Sequence, residues 1–309
     1  MGRYVARRLL QMIPVFIGST FLIFAMMFAL PGDPVRALMG DQAFDPAVVE
    51  AIRHDRGLDL PLWQQYLKYL FELVQGNFGT EIASQRPIAD IIGQAFPVTI
   101  RLTLFAFTFT VVVGIALGII AGLRPESVRD RGLLALTLVL ISMPSFVLGY
   151  LMQYLFAFKW GITTPTVQDS ESFGDLLLPA IVLGSLSLAY VARLTRTSMA
   201  ENLRADYMRT AVAKGLPRRR IIGVHLMRNS LVPVVTFLGT DIGNLMTGAI
   251  VTEGIFNVQG VGDAIYEALF RREGATVVGI ASLIVLVYLL ASLLVDLLYA
   301  VLDPRIRYA

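Results

Sequence analysis

Apolar residues run along this chain in long stretches, and polar and charged residues crowd into the gaps. Six stretches approach or exceed the roughly 20 mostly apolar residues that a helix needs to cross a hydrocarbon core of about 30 Å: residues 9–30, 98–123, 132–158, 176–192, 230–251 and 276–302. The fourth is the shortest. "LPGDP" at 30–34 ends the first, "LRPESVRDR" at 123–131 is a polar turn, and "KWGITTPTVQDSESFGD" at 159–175 parts the third from the fourth. The pattern predicts an all-α, polytopic membrane protein with six transmembrane helices, a single transmembrane domain over residues 1–309. The first stretch is longer than the roughly 7–15 apolar residues of a signal peptide and ends in no A-x-A pattern, so it reads as a retained span.

Composition agrees with that pattern. Hydrophobic residues make up 56% and charged residues 16%, where a soluble domain carries about 25% charged. The chain has no cysteine, which excludes disulfides, thiol nucleophiles and thiolate metal sites. Its two histidines, His54 and His225, are far apart, and no metal site is expected. Charge distribution predicts orientation. Segments 1–8, 124–131, 193–229 and 303–309 hold 17 Lys and Arg in 60 positions, against 8 in the 107 positions of 31–96, 159–175 and 252–275. Basic loops stay in the cytoplasm, so both termini and the loop 194–229 are expected there, and 31–96 outside.

Two connectors have structure of their own. Within the expected extracytoplasmic region 31–96, Leu62, Tyr66, Tyr69, Leu70 and Leu73 fall near helical spacing after a break at 58–61. They predict a short amphipathic helix over the outer surface, either a simple cap or a platform for an external partner. In the basic loop, 197–215 reads as a helix ended by Gly215 in a left-handed turn with Pro217 just beyond, and a second helix leads into the fifth span.

Within the spans, Gly114, Gly118 and Gly122, and likewise Gly239 and Gly243, repeat at intervals of four and suit close helix packing. Pro144 and Pro179 are expected to bend or offset their helices. Arg101 lies near a span end and can snorkel, and Asp296 reads as structural. Asp241 lies near mid-span with Asn244 one turn on. An intramembrane carboxylate faces a protein or water interior, so Asp241 is open to two readings, pathway lining or interhelical hydrogen bonding. Met143 and Gln153 join Asp241 and Asn244 as candidate pathway residues. The chain has no phosphate-binding glycine loop, no H-E-x-x-H and no G-x-S-x-G. No catalytic residue is expected, and the chain is not read as an enzyme.

The ordered set "LPGDPVRALMG", "GLDLPLWQQYLKYL", "ISMPSF", "ARLTRTSMAENLRADYMRTAVAKGLPRRRIIGVHLMRNSLVPVV" and "VDLLYAVLDPRIR" resembles the permease subunits of bacterial binding-protein-dependent ABC importers of the dipeptide, oligopeptide and nickel group. The resemblance covers nearly the whole chain. It implies a type I permease bundle in the bacterial inner (plasma) membrane, paired with a second homologous permease. Its partners would be one or two ATPase subunits, which carry the ATP and Mg, and an external solute-binding protein. No cofactor is implied for this chain, and no nucleic acid. The family's EAA coupling loop falls at Arg209, Thr210, Ala211, Lys214, Gly215, Leu216 and Arg218, with Arg-Thr-Ala in place of Glu-Ala-Ala. The implied activity is ATP-driven peptide import by alternating access, with a nickel complex, glutathione or haem as other cargoes of the same machine. An ion-coupled secondary transporter is the alternative from a different class. "EGIFNVQGVG" at 253–262 and "RREGAT" at 271–276 depart from the family's usual E-x-x-F-x-x-P-G-x-G and Arg-Asp-Tyr-Pro.

Overall fold

In lipid, backbone N–H and C=O groups find partners only inside a helix or a closed barrel. In the computed structural model, which describes residues 2–28, 47, 50–51, 53–54 and 57–302, the apolar stretches are helices. They are α1 (Gly2–Phe28), α2 (Leu62–Val74), α3 (Ile88–Gly122), α4 (Val128–Ser142), α5 (Ser145–Lys159), α6 (Phe173–Leu203), α7 (Asp206–Ala213), α9 (Val232–Phe256), α10 (Val261–Phe270) and α11 (Gly274–Leu302). Between α7 and α9, Arg218–Arg220, the wider π turns Ile221–Leu226 and Met227–Ser230 together form α8. Among the described residues there is no strand, only an isolated bridge between Thr80 and Pro87. The expected break at 30–34 and the side chain of Asp296 lie outside the described residues.

Among the described residues, five helices are long and apolar enough to span a membrane, and α4 with α5 makes a sixth candidate. That third predicted span is not straight: α4 and α5 meet at 105°. Pro144 has no N–H to continue the helix, and Met143 before it is extended at φ −94°, ψ 130°, as a residue preceding proline prefers. The fourth predicted span, the shortest in sequence, is instead the 31-residue α6. Arg193, Arg196 and Glu201 end an apolar run but not a helix. The expected helix over 197–215 is divided, because α6 runs through Leu203 and α7 starts afresh at Asp206.

The chain, read in sequence as one domain, divides into two compact units, Met1–Thr99 with Gln259–Ala309, and Ile100–Val258. In the first, α1 packs along α11, with α2 and α10 beside them. The Glu273 carboxylate is buried and accepts from the backbone N–H groups of Ile82 and Ala83 at 2.9 and 2.8 Å. It holds the 79–87 loop and gives the departure at "RREGAT" a structural use.

In the second unit, α6 is the centre and most of it is buried, flanked by α3, α4 and α9. Its contact with α3 is the expected glycine seam. A Cβ on Gly118 would sit 2.7 Å from the Ala192 carbonyl, and one on Gly122 would sit 2.7 Å from Met199 Cβ. From the other side, a Cβ on Gly184 would meet the Ala106 carbonyl at 2.8 Å. The backbones are as close as glycine allows, which is how helices gain contact in lipid. α9 ends at Asn257, which takes the left-handed conformation with φ 53°, so the chain turns there without the family's proline.

Candidate functional site

Two places collect the residues singled out from the sequence. The first is the basic loop. Asp206 in the first turn of α7 suits the positive end of the helix dipole. α7 then turns Met208 and Ala211 inward, onto Met199 of α6 and Ile221 and Leu226 of α8. Ile119 and Leu123 from the end of α3 close the cluster, with Tyr207 and Leu216. Ala211 is only 6% exposed, so its small side chain serves the chain's own packing.

Gly215 ends α7 as expected, with φ +68°. Leu216 N–H bonds to the Ala211 carbonyl at 3.3 Å and Gly215 N–H to the Val212 carbonyl at 2.9 Å. This is a Schellman turn, and Leu216 supplies its usual hydrophobic contact by folding back into the cluster. The outward surface is Arg209, Thr210, Val212, Lys214, Gly215 and Arg218–Arg220, all exposed. Val212 is an addition that sequence reasoning missed. It is 63% exposed, and the only signal for it is an apolar residue directly after inward-facing Ala211.

A second missed feature anchors this region. Asp130, 1% exposed, receives Arg196 Nε at 2.7 Å and Nη2 at 2.6 Å in a bidentate pair. It also accepts the Glu126 N–H at 2.8 Å, while Ser127 caps α4 through the Asp130 N–H. The start of α4 is thereby tied to α6 about two turns before α6 ends at Leu203.

The second place is a cavity of about 460 Å³ that opens where α4 and α5 bend apart from α6 and α9. Met143, Ser187, Tyr190, Phe237, Asp241 and Asn244 line it. Asp241 is 2% exposed, and its Oδ1 accepts from Ser187 Oγ at 2.8 Å while Oδ2 is buried without a partner. Asn244 is exposed. One Asp241 oxygen is thus bonded between helices, and the residue lies on a cavity wall. Gln153 is not brought there. Its amide donates to the carbonyls of Pro165 and Ile255, so it ties α5 to the 163–167 segment and to the end of α9.

Among the described residues no group of three or more His, Asp or Glu could hold a metal. The arrangement offers an exposed basic knob and a mainly apolar cavity with a few polar groups, Ser187, Asp241 and Asn244 among them, which suits mechanical coupling and passage of a solute.

Comparison with known proteins gives these features a context. Residues 114–308 match the family described as binding-protein-dependent transport system inner membrane component, and residues 1–103 match the N-terminal family of such membrane components. The chain is 38% identical to the di/tripeptide transport system permease protein DppB of Pseudomonas aeruginosa, covering 99% of this chain and 98% of that one. It is 37% identical to the dipeptide transport system permease protein DppB of Escherichia coli, covering 100% and 99%. It is 38% identical to the glutathione transport system permease protein GsiC of E. coli, covering 100% of both.

Proposed function

The chain belongs to the family of inner membrane components of binding-protein-dependent transport systems, and on that premise we propose that it is the permease of an ATP-driven importer of small peptides. Relatives named for di/tripeptide, dipeptide and glutathione transport support the cargo class, since all three substrates are short peptides. Family membership sets aside the ion-coupled secondary transporter. The permease itself has no enzymatic role. ATP is hydrolysed by partner subunits, a second homologous permease completes the bundle, and an external binding protein delivers cargo. Both termini and the basic loop face the cytoplasm, which the concentration of Lys and Arg in those segments supports.

The observation that carries the coupling is the α7–Gly215 unit. Its inner face is locked to the ends of α3, α6 and α8, so a push or pull on α7 moves the bundle. Its outer face, Arg209, Thr210, Val212, Lys214 and Arg218, is free to enter a groove on the ATPase. Ala211 and Leu216 act from inside, by holding α7 in place. The cavity with Met143, Asp241 and Asn244 is part of the solute path. Gln153 supports that path from behind.

The test is uptake of a labelled dipeptide by native cells, with the ATPase copurified from the same membranes. Deleting the chain should abolish uptake. Val212→Glu with Lys214→Glu should leave the chain in the membrane and lose the ATPase, because both side chains point outward. Asp241→Asn should leave the complex intact and change which dipeptides compete. Uptake that survives the deletion sinks the cargo reading. Unchanged copurification and uptake in the Val212/Lys214 variant sinks the coupling surface.

A further inference from the structure

The amphipathic helix α2 has two apolar faces, and only one is covered by the chain. Tyr66 and Tyr69 point inward. The Tyr66 hydroxyl lies 2.9 Å from Thr20 Oγ1 and donates to the Ile17 carbonyl at 2.8 Å, both in α1. The Tyr69 hydroxyl donates to Ser282 Oγ in α11 at 2.7 Å. Phe21 and Phe24 pack their rings on Tyr66 at 5.2 and 5.6 Å. On the adjoining face, Trp63, Leu67, Phe71 and Val74 recur at helical spacing and are 59, 54, 69 and 80% exposed. Gln64, Lys68 and Glu72 fill the remaining edge.

The hydrogen bonds tie this helix to both α1 and α11. Thr20 lies eight residues before the end of α1 at Phe28, which is about 12 Å along the axis at about 1.5 Å per residue. Ser282 lies eight residues after the start of α11 at Gly274, again about 12 Å. The tyrosines reach those positions from a helix whose inner face packs on Phe24, Met27 and Phe28 of α1 and Val278 of α11. Two separate anchors therefore hold α2 against the end of one membrane-spanning helix and the start of another.

We infer that α2 is an interfacial helix whose Trp63–Leu67–Phe71–Val74 face is buried in the acyl chains of the leaflet where α1 ends and α11 begins. Three observations select lipid as the occupant. The stripe belongs to a helix fastened to two membrane-spanning helices, and Phe21 of α1, packed on Tyr66, is exposed beside it. Its residues are bulky, whereas helix contacts in lipid favour small ones, as the Gly114–Gly118–Gly122 seam does in this same chain. Its polar edge is narrow and carries Lys68, the pattern of a helix lying in the membrane plane with a tryptophan at the headgroup level.

Because the chain has no cysteine, single cysteines at Leu67, Lys68, Phe71 and Val74 can carry a spin label, with the signal of the unsubstituted complex subtracted. The assembled transporter in lipid nanodiscs is then relaxed with oxygen, which partitions into acyl chains, and with a water-soluble nickel chelate. Labels at 67, 71 and 74 should relax several-fold more with oxygen than with nickel, and the label at 68 should show the reverse. Strong nickel relaxation at 67 and 71 would place α2 in water and overturn the inference. Weak relaxation by both reagents at 67, 71 and 74 would mean that protein covers the stripe, and would overturn it equally. Agreement of three labelled positions guards against one that disturbs the local fold.

Discussion

Gly215 allows a test in which conformational cost and packing are separated. It has φ +68° and nothing within 4 Å of where a Cβ would stand. A side chain there meets no neighbour, so the whole cost is the left-handed backbone, about 1–2 kcal/mol for an ordinary L-residue. Asparagine tolerates that region better, and β-branched valine least. At about 1.4 kcal/mol per tenfold, Gly215→Ala should raise the population with an open turn about tenfold, Gly215→Val further, and Gly215→Asn clearly less. Opening exposes the backbone at Lys214 and Arg218, both solvent-facing trypsin sites. When closing is fast relative to cleavage, nicking reports the open population. Nicking of the purified complex should therefore follow Gly, Asn, Ala, Val from slowest to fastest, with about tenfold between the first and third. Uptake should fall in the same order while membrane insertion stays normal. If Asn is nicked as fast as Val, or all four alike, the turn is not held by its left-handed backbone and the coupling role assigned to it fails.

Two further outcomes follow from buried or half-buried acids. Asp130→Ala leaves Arg196 without its bidentate partner and should cost about 3 kcal/mol, the low end for a broken buried pair because Arg196 stays 22% exposed. Heat-induced aggregation in detergent reads this, and adding Arg196→Met should recover more than half of the loss; no recovery would show that the pair is not what Asp130 provides. Burial, then the nearby Glu267 charge, pushes the Asp263 carboxyl up to about 6. The folded state thus holds this proton more tightly than the unfolded chain, so the contribution to stability is complete below about pH 4 and is lost as pH rises through about 6. Asp263→Asn should flatten the fall in thermal midpoint between about pH 4 and 7, and an unchanged slope would show that another group titrates.

What could be read in advance was local along the chain. Apolar runs marked the spans because lipid leaves the backbone no alternative to a helix. Gly215 followed by Pro217 marked the end of α7, since the stop signal and the turn that answers it are adjacent. The glycines at 114, 118 and 122 announced a close helix contact, although nothing in their spacing named α6 as the partner.

The rest depended on residues far apart in sequence. Asp130 and Arg196 are 66 positions apart, so the charge that seemed to end the fourth span is part of a pair that lets α6 continue. Ala211 faces inward only because Met199 and Leu226 are there to receive it. Gln153 and Met143 looked alike as polar or adaptable residues of one span. The bend at Pro144 leaves Met143 on a cavity, while Gln153 serves two carbonyls elsewhere. The spacing of Tyr66 and Tyr69 showed that α2 has an inner face but not what that face meets. Periodicity reports orientation about a helix axis, whereas the partners are set by contacts with Thr20 and Ser282, 46 and 213 residues away.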